Sequence, residues 1–516
     1  MIWTGIAVLG LIYFIKWKTD PLNSIPTVGG SSLPILSLYS AINFSLNSKK
    51  LLQEGYKKYY GSVFKVPLLE QWILIVSGPK MVEELRRRPD EELSFSEGVE
   101  DSMQIRYTFG PETDADPYHV DIIKEKLTRS VPAILPDVID ELTLAVPEHI
   151  PAKSDEWLEV AIMPTMQQII ARASNRVFVG APLCMCLDLC FPLYASSVTH
   201  GITTGRNKEY LNLSIKFTID IVKDKTLVKL APSFLKPLVG RLSNHVRRTL
   251  KETIPHLKPV VDERWELMKT FGDDWPDKPN DMLQWVMDTA KTRQDNTYEA
   301  IARRILLVNF AAIHTSSNSI SSALYHLAER PDYLETLREE IDTVLREEGW
   351  TKNGMGKMWK LDSFLKESQR YTGIGLASLT RKALKDITLP DGTFVPRGAI
   401  IMAAADATHH DDSVYADSDV FDPWRFSRMR EADGEGTKHQ FVNTSLDYIS
   451  FGHGKHACPG RFFAANELKS LMAFIILNYD LKLGGDGSRP QNLYWALNVI
   501  PAPKGTVLFR KREVSI

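Results

Sequence analysis

The stretch "FGHGKHACPGR", residues 451–461, constrains the fold more than any other part of the chain. Its three glycines permit backbone turns and close approaches that a side chain would block. The residues after it, 461–479, carry apolar side chains at helical spacing, and Pro459 suits the first position of the helix that this predicts. Cys458 therefore precedes a helix N-terminus, where the dipole favours the thiolate, the form that binds metals and attacks electrophiles.

The remaining pattern predicts a mostly α catalytic domain with small β-sheets. A hairpin is expected over 62–68 and 71–78, and strands return in 386–405 and 495–512. Between 118 and 370 the apolar spacing is helical, with breaks predicted at Pro132, Pro136, Pro182, Pro232 and 271–281. Because the 516 residues contain no flexible linker and no repeat, a single large domain is expected.

The N-terminus predicts a membrane anchor. Residues 2–15 are uncharged and mostly apolar, and Lys16 and Lys18 follow them. A helix of this length rises about 21 Å, which spans a bilayer only if lysines snorkel or the bilayer thins. A cleaved signal peptide is the alternative, but a charged start and a small-x-small cleavage site are missing. We predict a signal anchor at 1–18, a proline/glycine hinge at 19–35 and a cytosolic catalytic domain at 36–516.

The cysteines and the net charge of the chain argue against two further classes of protein, those with a cysteine metal site and those that bind nucleic acid. Cys184, Cys186 and Cys190 cluster in an apolar segment without histidines, so they read as buried thiols rather than as a metal site. Unoxidised thiols fit a cytosol-facing protein. The net charge of −2 lacks the basic excess of a nucleic-acid-binding protein.

Three further stretches carry chemistry when they are taken together with Cys458. Glu367 and Arg370 are spaced to pair on one helical face, and Arg425 in "FDPWRF" is a candidate third member. A helix from about 300 to 328 contains "FAAIHTSSNS", a cluster of small and hydroxyl residues. Taken alone, each feature has a purely structural explanation. The charged residues could form an exposed ion pair, and the hydroxyls of the helix could bond to carbonyls one turn earlier.

In this order along the chain, the four stretches resemble those of the cytochrome P450 family of haem-thiolate monooxygenases. The residues that match the family's F-x-x-G-x-[RH]-x-C-x-G loop are Phe451, Gly454, His456, Cys458 and Gly460. The E-x-x-R pair and the later arginine of the family match Glu367, Arg370 and Arg425. The resemblance covers essentially the whole chain and implies the P450 fold.

The resemblance implies a role for each matched residue. Cys458 is the axial ligand of the iron of haem b, with Phe451 and Gly460 beside the cofactor. His456 and Arg381 are placed to bind the haem propionates, with a surface role as the alternative for Arg381. The tryptophan that the family often carries in an early helix is missing, so only His119 carries over there. Glu367, Arg370 and Arg425 are assigned to structure.

The middle helix is expected to lie against the oxygen-binding face of the haem. Ala311 and Ala312 leave room for a kink, and Thr315 matches the family's oxygen-handling threonine. His314 stands where the family usually has an acid, and histidine relays protons near neutral pH. This departure resembles fungal members that oxidise terpenoids and other secondary metabolites.

The resemblance also predicts which residues line the substrate pocket. The residues predicted to line the pocket are Phe310, Ala311, Ile313, Ile374, Gly375, Leu376 and Leu497. They imply a bulky lipophilic substrate, with a terpenoid favoured, while Arg106 reads a carboxylate or lies at the surface.

Because flavin and iron–sulfur motifs are missing, electrons must come from another protein. The resemblance implies that the donor protein is NADPH–cytochrome P450 reductase, with cytochrome b5 as a further candidate and dioxygen as the oxidant. Lys438, Lys455 and Arg461 are basic residues near the cysteine loop that would meet an acidic reductase. The anchor implies the endoplasmic reticulum membrane. Two other functions remain open: a haem-thiolate isomerase or dehydratase, and a haem carrier or gas sensor.

Overall fold

The structure is a computed structural model that describes residues 14–15, 17–180, 207–272, 275, 277–293 and 295–513. These residues form two compact units. The first takes residues from 1–103, 363–458 and 491–503, and the second from 104–362, 459–490 and 504–516. The two units carry different parts of the predicted site.

Helices dominate the described chain, as the sequence predicts. Their bounds are α1 Leu36–Lys58, α2 Pro79–Arg87, α3 Phe95–Met103, α4 Ile105–Thr108, α5 Pro111–Ala115, α6 Tyr118–Ile122, α7 Thr128–His149, α8 Ile162–Phe178, α9 Lys208–Leu230, α10 Lys236–Leu242, α11 His245–Phe271, α12 Met282–Ala290, α13 Tyr298–Glu329, α14 Tyr333–Glu348, α15 Lys352–Lys357, α16 Trp359–Tyr371, α17 Ala405–His409, α18 Arg425–Arg430 and α19 Arg461–Asn478. Short 3-10 turns lie at Pro21–Ser24 and Gly454–His456, and a π-helical turn at Ile123–Leu127.

The strands form small sheets, each within one unit. Their bounds are β1 Val63–Pro67, β2 Trp72–Val76, β3 Leu93–Ser94, β4 Leu158–Ala161, β5 Ala377–Ala383, β6 Ile387–Thr388, β7 Phe394–Val395, β8 Ile400–Ala404, β9 Tyr479–Leu483, β10 Leu493–Trp495, β11 Asn498–Ile500 and β12 Thr506–Lys511. The first unit holds a sheet in the order β1-β2-β8-β5-β3, in which only β2 and β8 are parallel, and the pairs β6-β7 and β10-β11. The second unit holds the antiparallel sheet β4-β12-β9.

The five-stranded sheet is buried on both faces, which explains the continuous apolar run of β2. Leu74 and Val76 belong to one buried cluster, whereas Ile73 and Ile75 belong to a second one that includes Phe44 of α1. Alternate side chains of a strand point to opposite faces, so a strand with cover on both faces needs apolar residues at every position. The predicted hairpin is confirmed, with Val66 opposite Ile73.

The second unit is built around α13, which packs against α8, α9 and α11. Asn175 Nδ2 of α8 donates to Asn309 Oδ1 of α13 at 2.7 Å, and the Tyr210 hydroxyl of α9 donates to Asn175 Oδ1 at 3.1 Å. All three side chains are buried. Because buried polar groups are costly unless they are bonded, this network fixes how the three helices face one another.

Two of the predicted helix breaks are wrong. Pro132 and Pro136 lie inside α7, which continues to His149. An interior proline costs about 3 kcal/mol, but α7 buries side chains every three or four residues through both prolines, and that packing outweighs the local preference. The break at Pro232 is confirmed, since α9 ends at Leu230. The sequence pattern also missed β4, four residues inside a region read as helical.

Several predictions concern residues that lie outside the described part of the chain. Residues 1–13 and 16, which make up most of the predicted anchor, lie outside the described residues, as do Pro182, Cys184, Cys186 and Cys190. Among the helices that the structure describes, none combines the length and the apolar character needed to cross a bilayer.

Candidate active site

The cysteine loop of the first unit depends on its glycines. Gly452 and Gly454 have φ of 68° and 75°, which side chains rarely adopt, and a Cβ at Gly454 would lie 2.5 Å from Cγ of Arg86. The loop closes where the Cys458 N–H donates to the Phe451 carbonyl at 2.7 Å. The glycine spacing therefore sets where the half-buried Cys458 stands.

The helix after the loop covers the predicted residues, but Pro459 lies outside it. Arg461 is its first residue and Gly460 its N-cap, so Pro459 precedes the helix instead of occupying its first position. A Cβ on Gly460 would meet no described atom closer than Ile123 Cγ2, at 3.9 Å. Protein packing thus does not require glycine at this position, and the close approach to a cofactor stays a prediction.

Cys458 opens into a cavity of about 310 Å³ in the first unit. The predicted site residues that line it are Phe451, His456, Cys458, Arg381, Ile374 and Gly375. The cavity also takes in Ser450, whose buried hydroxyl lacks a hydrogen-bond partner within the described chain. Residues from two separate stretches of the sequence, 374–381 and 450–458, are thus brought to one space.

Arg381 brings an uncompensated positive charge to this cavity. It is 1% exposed, and within the described part of the chain its Nη1 donates only to the Thr380 carbonyl, at 2.9 Å. Its Nη2 is buried without a partner among the described residues. Burial lowers the pKa of the guanidinium, and only the charge of Asp90 opposes that effect. A buried cation in this state is stabilised by an anionic ligand, so the predicted contact with a carboxylate of the cofactor fits the structure.

His456 is held in place by a carboxylate that sequence analysis missed. Its Nε2 lies 2.7 Å from Oδ1 of Asp90, and its ring stacks on Phe95 with 5.0 Å between centroids. Burial lowers the pKa of His456, although Asp90 opposes the shift. One ring nitrogen is therefore committed to the protein, and the propionate contact predicted for His456 stays a prediction.

The predicted ion-pair network forms in the interior of the first unit. Arg370 donates to both oxygens of Glu367 at 2.7 Å, and both residues are 0% exposed. Arg425 Nε joins the same carboxylate at 3.3 Å, and Arg370 also donates to the carbonyls of His409 and Ser418. The bland alternative, an exposed surface pair, is wrong. The network ties α16 to the end of α17 and the segment that follows it.

His409 extends this network to the cysteine cavity. Its carbonyl accepts from Arg370, while its Nε2 accepts from the N–H of Ile449 at 3.3 Å. The ring stacks on Tyr448 and lines the cavity. Burial, followed by the Arg370 charge, lowers the pKa of His409 to about 3, so the imidazole is neutral and acts as an acceptor. The sequence "ATHH" gave no signal for this role, because it arises from tertiary contacts alone.

In the second unit, the centre of α13 is more exposed than the rest of the helix. Residues 304–309 and 320–328 are buried, whereas Ala311 and Thr315 between them are exposed. The Thr315 hydroxyl donates to the Ala311 carbonyl at 2.7 Å. The helix α13 runs without interruption from Tyr298 to Glu329, and the kink expected at Ala311 and Ala312 stays a prediction. Thr315 is thus placed at an exposed position while its hydroxyl is held by the helix itself.

His314 points its ring into contacts between helices. Its Nε2 lies 3.1 Å from the Ile215 carbonyl of α9, and its Nδ1 lies 3.5 Å from Nε2 of Gln167 on α8. Burial lowers the pKa of His314, against the effect of the bond to Ile215. Partial burial therefore favours the neutral form of the His314 ring. Its role as a proton relay stays a prediction.

The other residues predicted to line the substrate pocket differ in how far they are exposed. Ile313 and Leu376 are 0% and 1% exposed, and their assignment as pocket walls stays a prediction. Leu376 immediately precedes β5 and belongs to the buried cluster that includes Phe44. The Leu376 N–H donates to the Leu497 carbonyl at 2.9 Å, and Leu497 packs against the core cluster of Leu376. Phe310 is half-buried beside the exposed Ala311.

His119 takes part in a polar cluster of the second unit. Arg304 Nη1 lies 3.1 Å from its Nδ1, and Arg304 also pairs with Asp295 at 2.9 Å. Burial and the charge of Arg304 lower the pKa of His119 to about 4. The ring is therefore neutral, and a propionate contact for His119 stays a prediction.

A cavity that combines a cysteine with a buried arginine in need of an anion fits the class of haem-thiolate proteins. In such a protein Cys458 would hold the iron as its thiolate ligand, and Arg381 would donate to a propionate. When bound, the haem supplies the oxygen chemistry, to which a thiolate ligand contributes electron density that favours O–O cleavage.

Comparison with known proteins agrees with this class. The family model described as cytochrome P450 matches residues 180–509. Similar proteins include "Cytochrome P450 monooxygenase 151" of Postia placenta, 47% identical over 98% of this chain and 97% of that protein. "Cytochrome P450 monooxygenase CYP512U6" of Ganoderma lucidum is 43% identical over 98% and 95%, and "Cytochrome P450 monooxygenase AN1598" of Emericella nidulans is 34% identical over 92% and 85%. The chain belongs to the cytochrome P450 family and is a cytochrome P450 monooxygenase, with haem as cofactor, dioxygen as oxidant and a reductase as electron source.

Proposed function

We propose that this monooxygenase hydroxylates or otherwise oxidises a bulky lipophilic substrate of the terpenoid class. The observation that carries the proposal is the cavity that contains Cys458 and the uncompensated Arg381. Its lining is mainly apolar and includes small residues such as Gly373, Gly375 and Ala377, which suits a site where a haem meets a lipophilic substrate.

The open centre of α13 supports the same substrate class. Ala311 and Thr315 are exposed in the middle of an otherwise buried helix, and the half-buried Phe310 adds an apolar surface next to them. Small and aromatic side chains at such a position suit a hydrocarbon, whereas a polar substrate would require more hydrogen-bonding groups. Thr315 supplies the hydroxyl that we assign to proton supply during oxygen use.

Electrons would come from NADPH through cytochrome P450 reductase, with cytochrome b5 as a second donor. Lys455 beside the cysteine is 74% exposed and pairs with Asp90 at 2.8 Å, and Lys438 is 62% exposed and pairs with Glu435 at 2.6 Å. Exposed cations of this kind favour association with an acidic partner surface even when they are paired within the protein.

The location that fits such a partner is the cytosolic face of the endoplasmic reticulum membrane. The support is in the sequence: an apolar run over 2–15, flanking lysines and a proline/glycine hinge. In this proposal residues 1–18 anchor the chain, 19–35 form the hinge, and 36–516 form the haem-thiolate domain.

Reconstitution with reductase tests the function. The full-length protein in microsomes is given NADPH, reductase and a panel of terpenoids under ¹⁸O₂, and products are analysed by mass spectrometry. Incorporation of one labelled oxygen, lost in Cys458→Ser together with the thiolate-type spectrum of the reduced carbon monoxide complex, is expected. Conversion of a substrate without reductase or label would instead establish an isomerase or dehydratase.

A further inference from the structure

A carboxylate in the cavity of Cys458 has an oxygen to which the protein supplies no donor. Asp406 is the one carboxylate among the described residues that line this cavity, and its side chain is 7% exposed. Its Oδ2 is buried and accepts no hydrogen bond within the described part of the chain. An ionised carboxylate can only accept, and a buried acceptor without a partner is costly. A ligand that brings a donor to Asp406 relieves that cost.

The charge of Asp406 is balanced, although its hydrogen bonding is not. Lys49 of α1 places Nζ 3.9 Å from Oδ1 of Asp406. Burial acts to lower the pKa of Lys49, but the negative charge of Asp406, followed by contacts with Tyr494, raises it overall, so the lysine is cationic. At this distance the two groups attract each other without a hydrogen bond, because N–H···O bonds span about 2.7–3.2 Å. The donor that Asp406 lacks is therefore a neutral one, since a second cation would exceed its single negative charge.

The histidine beside Asp406 is committed to other partners. Nε2 of His410 lies 3.9 Å from Oδ1 of Asp406 but only 3.1 Å from the carbonyl of Tyr371, which can only accept. Its Nδ1 lies 2.8 Å from Oδ1 of Asp419. Both ring nitrogens thus have closer partners than Asp406. The donor for Oδ2 has to come from the molecule that occupies the cavity.

Asp406 and Arg381, the candidate propionate ligand, lie at different ends of the same strand. Arg381 of β5 is paired with Ile401 of β8. That strand ends three residues later at Ala404, about 10 Å further along, and Asp406 follows it. The Asp406 N–H donates to the Leu376 carbonyl at 3.1 Å, which holds the residue at this end of the sheet. A propionate at Arg381 would therefore be well separated from the Asp406 carboxylate, which is left for another ligand.

We propose that Asp406 is a substrate-binding residue that accepts a hydrogen bond from a hydroxyl group of the substrate. The proposal rests on the proposed function and narrows its substrate class to terpenoid alcohols. Ethers, ketones and esters bring only acceptors, so a site with an unpaired carboxylate oxygen disfavours them. The apolar lining holds the hydrocarbon body, and Asp406 orients the end that carries the hydroxyl.

The test compares terpenoid alcohols with their own methyl ethers. The probes are borneol, cedrol and cholesterol, which increase in size, and the methyl ether of each. Dissociation constants for the haem-loaded full-length protein are measured by equilibrium dialysis. We expect at least one alcohol to bind about tenfold more tightly than its ether, the effect of a hydrogen bond to a charged group. If no alcohol binds more tightly than its ether, the proposal is wrong.

Two aspartates that contact the same histidine provide matched variants. Asp406→Asn keeps the shape of the side chain but offers an amide, which can donate to an ether oxygen, so the preference for the alcohol should disappear. Asp406→Glu keeps the charge and should retain part of the preference. Asp419→Asn is the control, because Asp419 also contacts His410, is 84% exposed and does not line the cavity. Each variant must keep the carbon monoxide spectrum of the parent. Loss of the preference in both asparagine variants, or in neither, would overturn the proposal.

Two outcomes distinguish this proposal from the proposed function. NADPH-dependent oxidation of terpenoids, with equal binding of alcohols and ethers, would refute the role of Asp406 and leave the proposed function intact. An Asp406-dependent preference for alcohols without incorporation of labelled oxygen would uphold the binding residue and refute the proposed function.

Discussion

Oδ1 of Asp90 lies 2.7 Å from Nε2 of His456, two residues before the cysteine that defines the site. The same carboxylate binds Lys455 at 2.8 Å through its second oxygen. Asp90 follows α2, far away in the sequence, so a surface turn of the first unit fixes the orientation of a side chain that lines the cavity.

Asp90→Asn should lower the pKa of His456 further. Burial already lowers it, and Asp90 is the group that opposes the shift, so removing the negative charge leaves burial unopposed. Titration of the His456 ring protons by NMR in the diamagnetic ferrous carbon monoxide form measures the change. Glu91→Gln, at an exposed neighbouring position, is the control and should leave that pKa in place. An unchanged pKa in Asp90→Asn would contradict the assigned contact.

Arg381→Met should separate haem retention from the stability of the apoprotein. The variant removes an uncompensated buried cation, so the apoprotein should unfold at a higher denaturant concentration. The haem loses a donor for its propionate, and its transfer to apomyoglobin should be roughly tenfold faster or more. Arg397→Met, at an exposed position, should change neither measurement. Faster haem loss from both variants would mean that Arg381 acts only through general stability.

Glu367→Gln should destabilise the fold by about 3–5 kcal/mol, because Arg370 would remain buried without its charged partner. Urea denaturation monitored by circular dichroism gives the free energy of unfolding. Asp332→Asn breaks the exposed pair between Asp332 and Arg330, whose side chains are each 57% exposed, and should cost less than about 1 kcal/mol. Similar losses in the two variants would show that the Glu367 pair is not desolvated.

His409 should make the fold sensitive to acid. Its pKa falls from an ordinary 6.5 to about 3, so the unfolded chain binds a proton more readily than the folded one. The stabilisation is complete above pH 6.5 and is lost as the pH falls toward about 3, at up to about 1.4 kcal/mol per pH unit. His409→Gln keeps an acceptor for the Ile449 N–H and should flatten this slope in denaturation at several pH values. Parallel pH profiles for the two proteins would contradict the assignment.

Thr315→Ala should divert NADPH consumption from product to hydrogen peroxide while the carbon monoxide spectrum stays unchanged. The exposed hydroxyl of Thr315 is the proton-supplying group that we assign to the centre of α13, and no iron ligand is lost. Ser319→Ala is the matched control, because its hydroxyl also bonds back along the helix, to the Thr315 carbonyl at 3.0 Å. Product and peroxide yields per NADPH decide the matter. Equal yields in the two variants would reduce Thr315 to a helix-bonding residue.

Local patterns predicted those parts of the site whose chemistry is contained in a short stretch of sequence. The glycines around Cys458, the Glu367–Arg370 spacing and the polar interruption of α13 each imply their structure through backbone freedom or helical periodicity. The sequence also predicted strand β2, because a strand in a sheet that is covered on both faces needs apolar residues at every position.

The sequence by itself determined the class of this protein: a mostly helical cytochrome P450 with a cysteine in a glycine-rich loop and an E-x-x-R pair on one helical face. The tertiary structure decided what each polar side chain does there. It kept Pro132 and Pro136 within α7, buried Ile313 and Leu376, turned His314 toward Ile215, and made His409 a neutral acceptor. Pairing, burial and pKa depend on neighbours distant along the chain, and desolvation by those neighbours outweighs the local preferences on which sequence patterns rest.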